Sequence, residues 1–152
     1  MIRSYVEGLG QHVGKEVELR GWLYNKRSSG KIRFLLLRDG TGVVQCVMVK
    51  GKVPEKAFGL FDELTQESSF VVVGSVRKDD RAPGGFEIDV VDASLIHLAK
   101  EYPITPKEHG VEFLVDRRHL WLRSSRQHAI MRIRHRVIKA IRDFFDERGF
   151  TL

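Results

Sequence analysis

The sequence predicts an all-β domain, a small closed antiparallel barrel of five strands, followed by a linker and a long α-helix. Five short segments between residues 16 and 97 alternate apolar and polar side chains, as strands with one buried face do. Turn-forming residues separate most of these segments, and a helical pattern lies between the third and the fourth. About eighty residues are too few for a parallel doubly wound sheet, so a small barrel is the better fit.

The first three predicted strands form two consecutive hairpins. Residues 16–25 (EVELRGWLYN) and 32–38 (IRFLLLR) are the first two strands, and the polar residues 26–31 (KRSSGK) join them as a loop. Residues 39–42 (DGTG) contain the Asp-Gly turn signal, and residues 43–50 (VVQCVMVK) are the third strand.

A helix is predicted between the third and fourth strands. Residues 54–64 begin with a proline, which suits a first helical turn, and carry apolar side chains near helical spacing. The last two strands are 69–77 and 86–97, joined by the charged residues 78–85 (KDDRAPGG). The order β-β-β-α-β-β is that of an OB-fold, which binds oligonucleotides across its second and third strands and nearby loops. A further short helix is predicted at 6–12.

The last third of the chain predicts a linker and a long helix. Residues 100–110 (KEYPITPKEHG) contain two prolines and no periodic apolar pattern, which is typical of an ordered linker. Ser124 or Ser125 can cap the helix, and Gly149 can end it. Apolar side chains recur at steps of three or four residues, at Ile130, Ile133, Val137, Ile141 and Phe144. This stripe spans a helix of about 35 Å, so further chain or a second copy is needed to cover it.

Composition excludes several classes of protein. The chain has 152 residues, with 26 Lys and Arg against 20 Asp and Glu, and one cysteine, Cys46. Its apolar runs are far shorter than the roughly 20 residues that cross a bilayer, and its first ten residues do not resemble a signal peptide. A single thiol excludes an internal disulfide and a cysteine-based zinc site. We therefore expect a cytoplasmic protein without a membrane span.

The charge is unevenly distributed. Residues 117–152 contain ten basic and three acidic side chains, whereas residues 1–116 contain sixteen basic and seventeen acidic ones. Within the near-neutral part, residues 15–38 hold seven cations interleaved with Trp22, Tyr24 and Phe34. This mixture suits a single-stranded nucleic acid, because cations follow phosphates and rings stack on bases. It fits a solvated sheet face with core aromatics as well, so composition leaves both interpretations open.

Three longer segments carry a family resemblance. Residues 21–48 (GWLYNKRSSGKIRFLLLRDGTGVVQCVM) resemble the anticodon-binding barrel of the class II aminoacyl-tRNA synthetases for aspartate, asparagine and lysine. Residues 101–124 (EYPITPKEHGVEFLVDRRHLWLRS) are similar to the hinge and catalytic-domain entry of the asparagine-specific branch. Residues 129–152 resemble the long helix of class II motif 1, which builds the dimer interface. The combination is specific, although each short motif alone would be weak.

The resemblance implies an anticodon-binding OB-fold domain at 1–99, a hinge at 100–115, and the start of a catalytic domain at 116–152. It further implies a homodimeric ligase that uses ATP and Mg²⁺ to attach asparagine to tRNA with a GUU anticodon. Motifs 2 and 3 have no counterpart in the 152 residues, so no catalytic residue is assigned and we expect this part alone to be inactive. The alternatives are an aspartate-specific relative and a freestanding OB-fold protein that binds single strands.

The resemblance also implies an anticodon site on the barrel. Phe34 matches the aromatic residue that stacks on the central anticodon base, Gln45 the amide that hydrogen-bonds this base, and Glu87 a carboxylate near the first base. Periodicity explains Phe34 equally well as core, since Ile32, Phe34 and Leu36 share one strand face. Glu87 fits an exposed strand residue as well.

Five cations on the first strand and the two loops are candidates for phosphate or base contacts, and each also fits a solvated surface: Arg20, Lys26, Arg27, Lys78 and Arg81. The six histidines show no ligand spacing on a common element, so no metal site is predicted. The resemblance assigns the apolar helix stripe to a dimer interface.

Overall fold

A computed structural model describes residues 1–105 and 107–152 of the chain. Pro106, one of the two prolines behind the linker prediction, lies outside the described residues. The chain divides into two compact units, Met1–Tyr102 and Pro103–Leu152. Each unit is described by itself.

The first unit contains six strands and one α-helix in the predicted order, with a short strand added at the start. A 3-10 helix at Val6–Gln11 occupies the place of the short helix predicted at 6–12. The regular elements are β1 (Ile2–Arg3), β2 (Glu16–Ser29), β3 (Ile32–Arg38), β4 (Val43–Val49), α1 (Glu55–Glu63), β5 (Ser69–Lys78) and β6 (Phe86–His97).

Strands β2 to β6 form a closed ring of hydrogen-bonded strands. The sheet order is β1-β2-β3-β4-β6-β5, and β5 pairs again with β2. The prediction of a wholly antiparallel ring is wrong, because β4 and β6 run parallel. The reason is topological: directions cannot alternate around a ring with an odd number of strands, so at least one pair must be parallel.

Strand β2 is much longer than predicted. Residues 26–29, predicted as loop, continue the strand and pair with β3, so that the turn shrinks to Gly30 and Lys31. Gly30 has a positive φ of 57°, a conformation that glycine adopts at little cost. The prediction of a loop at 26–31 is therefore wrong, because backbone pairing with β3 outweighs the low strand preference of this polar segment.

A bulge at Tyr24 shifts the alternation of β2. Leu23 pairs with Leu37 and Asn25 with Leu36, so Tyr24 is an extra residue without a partner in β3. A one-residue shift exchanges the two faces of a strand. Beyond the bulge, even-numbered residues of β2 therefore share the core side, and odd-numbered residues share the outer face.

The core lies inside the ring. The buried side chains come from alternate positions of the strands, from one face of α1 and from the 3-10 helix, whose Leu9 is fully buried. On β3, Leu35 and Leu37 are buried, whereas Phe34 and Leu36 are only partly buried. The interpretation of Phe34 as a core residue is therefore wrong, because the strand pleat turns it to the outer face.

The second unit is helical over most of its length. It contains α2 (Val111–Asp116), α3 (Arg118–Trp121) and α4 (Ser125–Asp146). The first two helices were not predicted, because they are too short to show a periodic pattern. Ser124 caps α4, with its Oγ accepting from the Gln127 N–H at 3.5 Å, and Gly149 follows with a φ of 79°.

Cys46 supplies a test of the closed ring. Its side chain is fully buried on β4, and burial raises the pKa of the thiol to about 12. We expect a thiol-reactive disulfide reagent to leave the native protein unlabelled at pH 8 and to label it promptly in denaturant, because the thiolate is the reactive form. Rapid stoichiometric labelling of the native protein would contradict the burial.

The same pKa predicts a loss of stability in alkali. The folded state keeps the thiol proton up to about pH 12, whereas the unfolded state releases it near the ordinary value of 9.0. The free energy of unfolding should therefore fall as the pH rises between these two values. A Cys46→Val variant lacks this contribution, so its denaturant midpoint should fall less over the same pH range.

Candidate nucleic-acid interface

One side chain from each of the five ring strands contributes to a connected set on the outer face of the first unit, in which Arg27 contacts both Phe34 and Gln45. Arg27 of β2 pairs in register with Phe34 of β3, and Gln45 of β4 lies opposite Glu87 of β6. Glu87 also lies opposite Arg77 of β5. We call these five residues the outer row. It contains four of the predicted site residues, and Arg77 is the member that the sequence prediction missed.

Phe34 and Arg27 form a stacked pair at one end of the outer row. The Arg27 guanidinium carbon lies 3.9 Å from the centroid of the Phe34 ring. The bulge at Tyr24 is the cause, because it brings Arg27 onto the same face as Phe34. Guanidinium planes stack on bases as well as on rings, so the pair offers a flat surface that suits a nucleobase.

Gln45 sits in the middle of the row with its amide fixed at both ends. Its Nε2 donates to Glu87 Oε1 at 2.5 Å, and its Oε1 accepts from an Arg27 terminal nitrogen at 3.1 Å. A carboxylate only accepts hydrogen bonds and a guanidinium only donates them, so these neighbours dictate which end of the amide is oxygen. One N–H and one oxygen lone pair of the amide are left over for a ligand.

Glu87 is a buried carboxylate with two charged or polar donors. Its side chain is 7% exposed, and its second oxygen accepts from Arg77 at 2.5 Å. Arg77 also lies 3.6 Å from Asp89. The signal that could have revealed Arg77 is the hairpin around residues 79–85, which places opposite charges at facing positions of β5 and β6.

Lys26 does not join the outer row. Its Nζ donates to the Phe61 carbonyl oxygen at 2.6 Å, at the last turn of α1. Arg33 of β3 donates to the Phe58 carbonyl oxygen at 2.6 Å and pairs with Asp62. Near the C-terminus of a helix, cations such as Lys26 satisfy carbonyls that have no partner within the helix, whereas Arg33 binds a carbonyl nearer the middle of α1. Lys26 and Arg33 therefore anchor α1 to the extension of β2 and β3.

Arg20 is also engaged away from the row. It binds Glu18 at 2.8 Å, and Arg3 of β1 binds the same carboxylate oxygen at 3.0 Å. The hydrogen bond from Arg20 is the main cause that lowers the pKa of the Glu18 carboxyl below its usual value. The two arginines thus join β1 to the outer side of β2.

The end of β5 and the loop that follows it present two of the predicted cations. Arg81 is 91% exposed and holds Asp79 with both ends of its guanidinium, at 3.3 and 3.4 Å. This contact is the main cause that lowers the pKa of the Asp79 carboxyl and raises that of Arg81. Lys78 is well exposed beside Asp80. The loop follows directly on β5 and its Arg77.

Other kinds of site are not found in the parts that the structure describes. Within residues 1–105 and 107–152, no group of three or more His, Cys, Asp or Glu side chains is arranged to hold a metal ion. None of the helices in these ranges is long and apolar enough to span a membrane. On α4, the five predicted stripe residues are each between 46% and 66% exposed.

Comparison with known proteins matches both units to families. Residues 17–96 match the model for "OB-fold nucleic acid binding domain", and residues 110–152 match "tRNA synthetases class II (D, K and N)". The chain is 58% identical over 147 residues to the asparagine–tRNA ligase of Symbiobacterium thermophilum, covering 97% of this chain and 34% of that protein. It is 55% identical over 150 residues to that of Thermus thermophilus, with 98% and 34% covered.

A solved structure gives the same result. Asparaginyl-tRNA synthetase from Pyrococcus horikoshii, in complex with asparaginyl-adenylate, superposes with a TM-score of 0.89 at 38% identity, covering 97% of this chain and 35% of that chain. The chain thus spans about a third of the length of the curated relatives that it matches. These matches, together with the ring of strands, show that the chain belongs to the class II aminoacyl-tRNA synthetases of the aspartate, lysine and asparagine group. Residues 17–96 are the OB-fold nucleic acid binding domain of that family.

Proposed function

We propose that the chain is the anticodon-binding part of an asparagine–tRNA ligase and that its outer row binds the anticodon of tRNA for asparagine. The observation that carries this proposal is the stacked Arg27 and Phe34 beside an amide of fixed orientation. Flat stacking surfaces bind unpaired bases, and amides read their edges. The family match supports single-stranded RNA as the ligand.

In this proposal Phe34 supplies affinity and Gln45 supplies selectivity. A stacked ring accepts any base, because every base has a π-face. Uracil presents an N3–H donor beside the O4 acceptor, and the amide of Gln45 retains one donor and one acceptor to meet them. The middle base of a GUU anticodon is therefore the base that we assign to Phe34 and Gln45.

The five predicted cations have different roles in the proposal. Arg27 lies in the row, and the exposed Lys78, at the end of β5, and Arg81, on the following loop, are suited to phosphate contacts. Arg20 and Lys26 already bind Glu18 and the end of α1, so we assign them structural parts.

The role that we assign to Glu87 also differs from the predicted contact with the first anticodon base. As acceptor for the first anticodon base, it would need that base to reach a side chain that is 7% exposed and has two donors already. We therefore infer that its main part is to orient Gln45. This leaves the first anticodon base without an assigned contact in the outer row.

The intact protein, in this proposal, activates asparagine with ATP and Mg²⁺ and transfers it to tRNA. The described residues include no group of His, Cys, Asp or Glu suited to hold a metal ion, so none of them is assigned to Mg²⁺. The test is aminoacylation by the full-length protein, with asparagine and aspartate compared on the same tRNA. Charging with aspartate instead of asparagine would favour the aspartate-specific alternative, and charging with neither would contradict the proposal.

We further propose that the stripe on α4 forms an interface between two copies of the protein. Its side chains Ile130, Ile133, Val137, Ile141 and Phe144 are exposed and lie on one face of the helix. An exposed apolar stripe of this length marks a surface that another chain covers. The match of residues 110–152 to class II synthetases supports the same assignment.

Replacing Phe34 by alanine should weaken binding to anticodon stem-loops of every sequence. The expected cost is about 1–3 kcal/mol, the value of one base stacked on an aromatic ring. The melting temperature should change little, because Phe34 lies outside the core. The measurements are stem-loop affinity at fixed salt and thermal stability. A strongly destabilised variant that binds normally when folded would remove Phe34 from the site.

Replacing Gln45 by alanine should instead reduce selectivity. Loss of the edge contact should penalise a stem-loop with U in the middle more than one with C, by about 1–3 kcal/mol. The dependence of binding on salt should stay the same, since no phosphate contact is removed. Titrating both loops with both proteins at several salt concentrations measures each effect. An unchanged preference for U would contradict the assignment of Gln45.

Replacing Ile133 by glutamate should weaken self-association of the chain. A charge placed on the apolar face of α4 must be desolvated when a second copy covers that face. A His135→Glu variant is the matched control, because it places the same side chain on the polar side of the helix. Sedimentation over a range of concentrations should show a more monomeric Ile133→Glu protein and an unaltered control. Equal behaviour of both variants would argue against the interface.

A further inference from the structure

Arg77 is linked to Gln45 through a single buried carboxylate. Glu87 lies opposite Gln45 on β4 and opposite Arg77 on β5, because β6 runs between these two strands. One Glu87 oxygen accepts from Gln45 and the other from Arg77. Each oxygen therefore has its own donor in the outer row, and Arg77 and Gln45 hold the carboxylate between them.

The orientation of the Gln45 amide determines which pyrimidine it can read. Uracil presents an acceptor at C4 and a donor at N3, whereas cytosine presents a donor at C4 and an acceptor at N3. The donor and acceptor positions of the two bases are therefore exchanged. An amide in one orientation is complementary to uracil, and the same amide turned by 180° is complementary to cytosine. An amide that is free to turn binds both bases, and only an amide held in one orientation discriminates between them.

We propose that Arg77 is a positioning residue that makes Gln45 selective for uracil, by holding Glu87 as the acceptor that fixes the Gln45 amide. This inference rests on the proposed function of the outer row. Arg77 supplies the charged donor that keeps the Glu87 carboxylate in place, and Glu87 requires the nitrogen of Gln45 to face it. Arg27 favours the same orientation from the other end of the amide.

The surroundings of Arg77 suit a positioning part better than a phosphate contact. Its guanidinium binds Glu87 through a terminal nitrogen and approaches Asp89 through Nε. Two carboxylates around one guanidinium make the group negative as a whole, which opposes the approach of a phosphate. Lys78, at the end of β5, and Arg81, on the following loop, are more exposed than Arg77 and are better placed for the RNA backbone.

The test measures the preference of the 152-residue chain for stem-loops with U over C in the middle position. In Arg77→Met the ratio of the affinity for the U loop to that for the C loop should fall about fivefold or more. This is the change expected when one base-edge contact loses its orientation. Arg77→Lys keeps a charged donor for Glu87 and should retain most of the preference. Arg3→Met is the matched control, since it removes one arginine charge on β1, away from the row, and should leave the preference unchanged.

Two further measurements separate positioning from direct contact. If Arg77 acts through Gln45, adding Arg77→Met to Gln45→Ala should cause no further loss of the preference for U. If Arg77 instead contacts phosphate, Arg77→Met should weaken both loops equally and lower the slope of log affinity against log salt by about 0.7. That result, or an unchanged preference in folded Arg77→Met, would overturn the inference.

The outcome also distinguishes this inference from the proposed function. Wild-type protein that binds neither loop would contradict the proposed function itself. Wild-type protein that prefers U, with Arg77→Met retaining that preference, would contradict only the part given to Arg77. A melting curve for each variant identifies loss of binding through unfolding, and Arg77→Lys then provides the comparison in a protein that keeps the ion pair.

Discussion

The first unit depends on one strand, β2, which pairs with two partners in succession. Its first half pairs with β5 and its second half with β3, and Trp22 is paired with a residue of each, Ser69 and Arg38. Gly21 lies at this crossing, where an added Cβ would come 2.5 Å from the Arg38 carbonyl oxygen. Close approach of two backbones requires a glycine at that point. The closed ring, and therefore the enclosed core, follows from this one exchange of partners.

The outer row depends on a second feature of the same strand. Without the bulge at Tyr24, the alternation that buries Leu19 and Leu23 would carry Arg27 onto the core side. The extra residue exchanges the faces, so Arg27 meets Phe34 and Lys26 meets the end of α1. Because of this single inserted residue, Arg27 belongs to the candidate site, whereas the neighbouring Lys26 anchors α1.

Most of the cations in residues 15–38 that are described above bind groups within the first unit itself. Arg33 and Lys26 bind carbonyls of α1, Arg20 binds Glu18, and Arg38 binds the buried Glu67. These contacts tie together strands and α1 within the first unit. Only Arg27 among these cations joins the outer row, through its stack and its bond to Gln45. The proposed recognition of RNA by this surface would therefore rest more on shape and hydrogen bonding than on a dense positive field.

The sequence by itself determined the order of strands, the helix between β4 and β5, the long helix α4, and the family, because alternation, turn residues and caps are local properties. It also singled out Phe34, Gln45 and Glu87, through a resemblance whose assignments remain predictions. The tertiary structure alone decided the parallel pair, the length and bulge of β2, and the outer position of Phe34. It alone brought Arg77 to Glu87 and Glu87 to Gln45. These features depend on which distant strands become neighbours, and local spacing carries no information about pairing between strands that are far apart in the chain.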